Sequence, residues 1–192
     1  MDIGRFCIKF FARPGYNIDD AIFIDIFHEW IRLKKLPGIL LDVADYRHVP
    51  EGPGVMLLTH DINFAMDYSE GRFGLFAQRK SGQAGNHRDR ILELVRATVT
   101  FGSLLEQDPR ISGKISLDGG AFHYLSNDRL LAPNTNEAAT AITSDLAAAA
   151  EVVYPGQTVS ITPLANDPRE RLAIEVTAES VDIGALASSV VV

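Results

Sequence analysis

Acidic and imidazole side chains gather at the ends of two apolar segments, residues 39–46 and 55–61. Asp42 lies in the first segment and His60 in the second. Carboxylates and imidazoles that meet at strand ends can bind a divalent metal ion or transfer protons. The candidate catalytic residues are Asp42, His60, Asp45, His48 and Asp61, and the candidate metal ligands are Asp42 and His60. Tyr46 and Asp67 complete this polar set.

The connection between the two segments decides how Asp42 and His60 face each other. Residues 49–54, Val-Pro-Glu-Gly-Pro-Gly, form a rigid and turn-rich link. A hairpin centred near Glu51 places Asp42 and His60 nearly opposite on one face of the sheet, whereas a slip of one residue separates them. The same side chains also suit a buried structural pair, because buried charges need partners. The sequence favours this structural role.

Established catalytic motifs do not occur in the sequence. It has no His-Glu-x-x-His, no His-x-His and no cysteine pair for a metal ion. It also lacks Gly-x-Ser-x-Gly, Gly-x-x-x-x-Gly-Lys-Ser/Thr and Gly-x-Gly-x-x-Gly segments. Gly52-Pro53-Gly54 does not suit a phosphate-binding loop, because proline has no N–H group. The sequence therefore assigns no cofactor.

Basic and amide side chains form a second set of candidates, suited to an anionic ligand. Arg72, Arg79 and Lys80 flank a short apolar strand, and a guanidinium group binds carboxylates and other anions well. A polar turn at 127–129 adds an amide, a carboxylate and a guanidinium. Surface ion pairs and turn-forming side chains are the structural alternative, which the sequence favours. The candidate ligand-binding residues are Arg72, Arg79, Asn127, Asp128 and Arg129.

Hydrophobic periodicity predicts the elements that position these residues. Apolar residues between 22 and 31 recur every three or four positions, which predicts a helix capped by Asp19 or Asp20. The continuous apolar runs at 39–46 and 55–61 predict interior strands covered on both faces. Asn86 and Asn134 are expected to cap two further helices. The predicted strands are 5–12, 39–46, 55–61, 64–68, 72–79, 114–117, 121–125, 159–163 and 171–177, and the predicted helices lie between 20 and 37 and at 86–107, 133–153 and 182–188.

The order of these elements predicts the fold class. Asp118-Gly119-Gly120 is expected to turn a hairpin between 114–117 and 121–125. Short turns between strands imply mainly antiparallel pairing, with one crossover through the first helix. The predicted class is α+β, a largely antiparallel sheet with two long helices and one or two further helices. The chain is expected to form a single domain, residues 1–192, with an internal joint near 81–85.

Composition and charge exclude several classes of protein. The chain has 192 residues, of which 46% are hydrophobic, so it can form a core without disulfides. Eighteen basic against 25 acidic residues give a net charge of −7, so nucleic acid, which requires a basic surface, is not an expected partner. No apolar run reaches the roughly 20 residues of a membrane span. The single cysteine, Cys7, and a start without a secretion signal predict a soluble cytoplasmic protein.

Several segments carry a resemblance to a known family. They are Asp42-Val43-Ala44-Asp45-Tyr46-Arg47-His48-Val49, Gly52-Pro53-Gly54-Val55 and Asn127-Asp128-Arg129-Leu130-Leu131-Ala132-Pro133-Asn134, together with Gly71-Arg72 and Arg79-Lys80. Over most of its length the chain resembles a family of uncharacterised bacterial proteins of about this size. The resemblance implies a bacterial, cytoplasmic setting and transfers no substrate or catalytic residue. In that family a glutamate usually follows the position of His60 and a tyrosine occupies that of Phe64, so Asp61 and Phe64 weaken any site that depends on those side chains.

Three hypotheses about function follow from the sequence. The leading hypothesis is a non-enzymatic binding or protein-interaction module, a subunit of a homo-oligomer or larger complex. It rests on apolar surface that one monomer does not readily cover. The second is a small hydrolase or isomerase, metal-dependent or not, that uses the Asp42/His60 region. The third is a sensor of a small anionic ligand held by Arg72, Arg79 or Arg129.

Overall fold

The computed structural model describes residues 3–80 and 85–190, and within them it shows one eight-stranded sheet and four α-helices. The strands are β1 (Phe6–Ala12), β2 (Leu40–Tyr46), β3 (Gly54–Thr59), β4 (Ile62–Asp67), β5 (Gly74–Arg79), β6 (Leu117–Ser126), β7 (Ser160–Pro163) and β8 (Ala173–Thr177), and the helices are α1 (Ile22–Leu33), α2 (His87–Glu106), α3 (Asn136–Val153) and α4 (Ile183–Val190). Neighbouring strands are all antiparallel, in the order β2-β3-β4-β5-β1-β6-β8-β7. The fold is α+β, as predicted. The predicted internal joint near 81–85 falls mainly on residues 81–84, which lie outside the described residues.

Three helices carry crossover connections, where the sequence predicts one. Because all neighbours are antiparallel, strands two or four places apart in the sheet run in the same direction. Helix α1 joins β1 to β2 across three intervening strands, α2 joins β5 to β6 on either side of β1, and α3 joins β6 to β7 on either side of β8. The prediction of a single crossover is wrong, because local turn signals do not show that β1 inserts between β5 and β6.

Strand alternation divides the core between the two faces of the sheet. Phe6, Ile8 and Phe10 of β1 join the large hydrophobic core that also contains the apolar faces of the helices. We call this the helix-covered face. Cys7 projects to the opposite face, where it packs in a smaller cluster that contains strand residues and no helix residue. The opposite face also carries the buried Lys9, which is described below.

The ends of the helices are set by capping groups that the sequence identifies only in part. Asn86 caps α2 as predicted, because its Oδ1 accepts the N–H of the third helical residue at 2.9 Å. Before α1, Asp19 accepts the N–H of Ala21 at 3.0 Å, but the N-cap position itself belongs to Ala21. The predicted cap of α3 is wrong by one residue. Thr135 accepts the N–H of the third helical residue, while Asn134 bonds to a different loop.

The predicted hairpin at residues 114–125 is wrong. Leu117–Ser126 is one continuous strand, β6, and its two glycines do not turn the chain. A Cβ atom at Gly120 would collide with the carbonyl oxygen of Glu179, and the N–H of Gly119 donates to the carbonyl of Val181 at 2.8 Å. The glycine pair therefore marks a close approach of two backbones rather than a turn, and such an approach also favours glycine within a strand.

Strand β2 is an edge strand, not the interior strand that its apolar sequence predicts. It stands at one end of the sheet, and Ile39 and Leu41 expose 61% and 54% of their surface. β3, the next strand, is interior and buried as predicted. The apolar run at 39–46 thus lies only partly in the core, because Leu40 and Val43 pack against it while Ile39 and Leu41 are exposed.

Candidate functional sites

Asp42 and His60 do not face each other across the hairpin. The register pairs Asp42 with Leu58, because the hairpin is centred one residue before Glu51 and β2 has a bulge on the N-terminal side of Asp42. Both side chains are exposed. Asp42 accepts the N–H of the next residue at 2.8 Å, and His60 Nδ1 lies 2.8 Å from Asp61 Oδ1. The predicted opposite placement, with its buried structural pair, is wrong.

The other polar residues of the first candidate set are bonded locally. Asp45 holds Arg47 through two bonds of 2.9 and 2.8 Å, and these bonds lower the pKa of Asp45 to about 2. A carboxylate with so low a pKa is a weak general base near neutral pH. His48 is exposed and lies near the ring of Tyr46. In residues 3–80 and 85–190, no group of three or more His, Cys, Asp or Glu side chains is placed to hold a metal ion.

Arg72 and Arg79 lie on opposite faces of the sheet. The Arg72 guanidinium stacks on the ring of Phe11, with Cζ 3.8 Å from the ring centroid, which is a cation–π contact. Arg79 is 2% exposed and lies on the helix-covered side, where its Nη1 donates to Glu93 Oε2 of α2 at 2.7 Å. The two arginines therefore do not clamp one ligand between them.

The turn after β6 combines a structural carboxylate with two cavity-lining side chains. Asp128 Oδ1 accepts the backbone N–H groups of Leu130 and Leu131 at 3.2 and 3.1 Å, which is the turn-forming role expected of aspartate. Asn127 and the exposed Arg129 line a cavity of about 630 Å³ between this turn and the loop before β8. Asp128 thus shapes the turn, and its two neighbours face the cavity.

A buried ionic network beside this cavity is not anticipated from the sequence. The Lys9 side chain is fully buried, and its Nζ lies 2.5 Å from Asp67 Oδ1 and 3.3 Å from Glu70 Oε2. Glu70 also accepts a bond from Arg171 at 2.5 Å. Burial alone would raise the pKa of Glu70, but the charges of Arg171 and Lys9 lower it. A lysine within the apolar strand at 5–12 is the available signal, because a buried ammonium needs an acidic partner.

Cys7 lies next to this network and is chemically quiet. The Asn127 amide donates to Cys7 Sγ at 3.1 Å, and burial raises the pKa of Cys7 to about 12. The thiol therefore stays protonated near neutral pH, and a protonated thiol is a poor nucleophile.

An apolar groove of about 380 Å³ lies between the start of β2, the start of β4 and α2. Its apolar lining residues are Leu36, Pro37, Gly38, Ile39, Leu40, Ile62, Phe64 and Ala97. Leu33 precedes the lining residue Leu36 by three positions and Leu41 follows the lining residue Leu40, and the two side chains expose 48% and 54% of their surface. We call the groove, together with Leu33, Ile39 and Leu41, the β2 apolar patch.

A smaller cavity of about 310 Å³ lies where three adjacent strands end or begin. It is lined by Arg5, Gln78, Arg79, Lys80 and Asn127. Asn127 is shared with the larger cavity. The lining combines three cationic and two amide side chains, and we call this cavity the basic pocket.

Comparison of the chain with protein-family models, with curated proteins and with solved structures finds no match. Within the described part of the chain, no helix has the length and apolar character needed to cross a membrane. Function has to be inferred from the surfaces and cavities of the molecule.

Proposed function

We propose that this protein is a non-enzymatic interaction module that pairs with a second copy of itself through the β2 apolar patch. The exposure of Ile39, at 61%, is the observation that carries the proposal. Complete burial of one aliphatic side chain is worth roughly 1.5–3 kcal/mol. Ile39 lines an apolar groove and is itself exposed to water, and the exposed Leu33 and Leu41 are close to lining residues in sequence. Burial of these side chains against a partner removes that cost.

Side-chain packing, rather than pairing of strand edges, forms the proposed contact. The bulge between Leu40 and Asp42 disturbs the outer edge of β2, and Asp42 and Asp45 place charges along it. Bulges and charges are the usual devices that prevent a sheet edge from pairing with another strand. The apolar side chains and the groove beside β2 carry no such protection.

The arrangement of the patch favours a second copy as the occupant. The exposed Ile39 is part of the groove lining, so an apolar side chain open to solvent and an apolar recess occur at one place. A two-fold symmetric dimer requires a self-complementary patch of this kind, since each copy inserts its projections into the groove of the other. The groove lining also includes Asp61, Glu93 and Arg96, so both charge signs are present at its polar margin.

The enzymatic hypothesis has less support from the geometry. Asp42 and His60 are exposed, and each forms its side-chain hydrogen bond with a residue adjacent in sequence. No cavity among those described brings these two side chains together.

Sedimentation velocity tests the proposed dimer. We expect concentration-dependent self-association between about 1 and 100 μM, the range over which a micromolar dimer dissociates. Ile39→Lys should weaken the dimer at least about tenfold, which corresponds to 1.4 kcal/mol. Leu130→Lys is the matched control, because Leu130 is 95% exposed and lies outside the patch.

Two outcomes contradict the proposal. A wild-type protein that stays monomeric at the highest concentration has no such interface. A dimer that Leu130→Lys dissociates and Ile39→Lys leaves intact uses a different surface. Circular dichroism of both variants confirms that the substitutions leave the fold in place.

A further inference from the structure

The basic pocket is assembled by the insertion of β1 between β5 and β6. In the register of the sheet Cys7 pairs with Gln78 on one side, and Asn127 N–H donates to the carbonyl of Arg5 on the other. If the same antiparallel register continues for two residues beyond Cys7, Arg5 lies between Lys80 and Asn127. Three segments that are distant in sequence thus present their side chains at one end of the sheet.

Charge distribution sets this pocket apart from the rest of the molecule. The chain carries a net charge of −7, yet the described lining of the pocket contains Arg5, Arg79 and Lys80 and no carboxylate. Arg79 is neutralised by Glu93, which it contacts at 2.7 Å. Among the described residues, Arg5 and Lys80 form no ion pair, so both bring an uncompensated positive charge to the pocket lining. An anion in the pocket would be attracted by both charges.

The residues that line the pocket also have unused hydrogen-bond donors. Among the described residues, the Arg5 guanidinium and the Gln78 amide have no hydrogen-bond partner, and both side chains line the pocket. The Lys80 ammonium donates one bond, to the carbonyl of Thr59. An ammonium has three donors, so two remain available.

We infer that the basic pocket binds a small phosphate-bearing ligand, held by Arg5, Lys80 and Gln78. A guanidinium fork and a nearby ammonium match the oxygen atoms of a phosphate group. All five lining side chains are polar, which favours a compact oxyanion over a carboxylic acid with an apolar tail. The volume of about 310 Å³ stands at the lower end of the roughly 300–1,000 Å³ range of small-molecule sites, which suits a small phosphomonoester.

The adjoining cavity supplies a built-in comparison. It contains Arg129 and Arg171, but Glu70 and Glu170 also line it, and Arg171 is already paired with Glu70. Its charges nearly cancel, so it attracts an anion less strongly than the basic pocket. A substitution of Arg129 removes a cation close by without touching the basic pocket.

Isothermal titration calorimetry with inorganic phosphate and with glycerol 3-phosphate tests the inference at constant ionic strength. We expect saturable binding of one ligand per chain and a loss of at least tenfold in affinity for Arg5→Gln and for Lys80→Gln. Arg129→Gln should bind like the wild type. In nuclear magnetic resonance spectra of the same titration, the backbone amide signals of Arg5, Lys80 and Asn127 should shift together.

Three results would overturn the inference. The first is an absence of saturable binding of both phosphate compounds to a folded wild-type protein. The second is loss of affinity in Arg129→Gln with full affinity in Arg5→Gln, which places the anion in the adjoining cavity. The third is binding of acetate as tight as that of phosphate, which makes the ligand a carboxylate. Arg5 is exposed, so its substitution leaves the fold available for measurement.

Discussion

The carboxylate of Asp145 lies 2.8 Å from Nδ1 of the buried His87, in a partly buried contact that joins α3 to α2. On the other side of the ring, Nε2 lies 3.1 Å from the hydroxyl of Tyr124 in β6. A neutral imidazole that donates from Nδ1 and accepts at Nε2 satisfies both contacts. The ring of Phe6 packs edge-on against it, with centroids 5.4 Å apart. His87 therefore holds two helices and the sheet together as an uncharged group.

This arrangement predicts that stability falls in mild acid. Burial lowers the pKa of His87 below its ordinary value of 6.5, and the carboxylate of Asp145 opposes that effect only in part. Below pH 6.5 the unfolded chain then binds a proton that the folded chain resists, so the free energy of unfolding falls until the pH reaches the folded-state pKa. At pH 7.5 the substitution His87→Gln should lower the free energy of unfolding by about 1–3 kcal/mol, because it breaks the hydrogen bonds of the imidazole.

Thermal unfolding of the wild type and His87→Gln at pH 7.5, 6.5 and 5.5 measures this effect. The gap in Tm between the two proteins should narrow toward acid pH, since only the wild type carries the buried imidazole. Asp145→Asn removes the opposing carboxylate and should extend the loss of stability to lower pH. Parallel pH profiles for wild type and His87→Gln would show that the imidazole does not resist protonation.

For the half-buried carboxyl group of Glu106 we predict the opposite dependence of stability on pH. Burial raises the pKa of this carboxyl, and the bond that it accepts from the N–H of Leu117 opposes the increase. The folded state then holds the proton more tightly than the unfolded state, so stability is lost as the pH rises above about 4.5 through the folded-state pKa. Glu106→Gln keeps an oxygen acceptor for Leu117 and removes the charge.

We expect Glu106→Gln to have a higher Tm than the wild type at pH 7 and nearly the same Tm at pH 4. Differential scanning calorimetry at the two pH values provides the comparison. Glu151, an exposed glutamate of α3, gives a matched Glu151→Gln control that should not show this gain. A lower Tm for Glu106→Gln at pH 7 would mean that the ionised carboxylate stabilises the fold.

Local patterns in the sequence predict most helices and several strands, but not the order of the sheet. The apolar stripe of α1 and the hairpin of β7 and β8 lie where periodicity places them, because short-range packing and turn residues determine both. The position of β1 between β5 and β6 depends on pairing with two strands that are both far from it in sequence, which no local signal records. The glycines of β6 wrongly suggest a turn for the same reason, because the segment that they contact, residues 179–183, is distant in sequence.

A Cβ atom at Gly120 should therefore destabilise the fold. Gly120→Ala would drive its side chain into the backbone of Glu179, where neither β6 nor the loop after β8 can move away without loss of the backbone hydrogen bonds that join them. We expect the free energy of unfolding to fall by about 1–3 kcal/mol, as for other overpacked sites. Gly4→Ala is the control, because no atom lies within 4 Å of its added Cβ. Urea unfolding that shows equal stability for both variants would mean that residues 119–120 form a turn in solution.

The candidate sites follow from the sequence only where neighbours in the chain are also neighbours in space. Asn127 and Arg129 share a turn, and both line a cavity. Arg5 completes the basic pocket only through the insertion of β1, so its role is invisible along the chain. The opposite placement of Asp42 and His60 fails because a shift of the hairpin and one bulge change the register.

Lys9 and Asp67 supply the most direct test of the buried network. Lys9→Met leaves the carboxylate of Asp67 buried without its ammonium partner. The free energy of unfolding should therefore fall by about 3–5 kcal/mol. Asp67→Asn in the same background removes the stranded charge, so the double variant should be more stable than the sum of the two single losses. Chemical denaturation at pH 7 of the four proteins gives the coupling, expected at about 1–3 kcal/mol. The exposed pair Arg169 and Asp167 provides the control cycle, and coupling there as large as at Lys9 would show that burial does not strengthen the interaction.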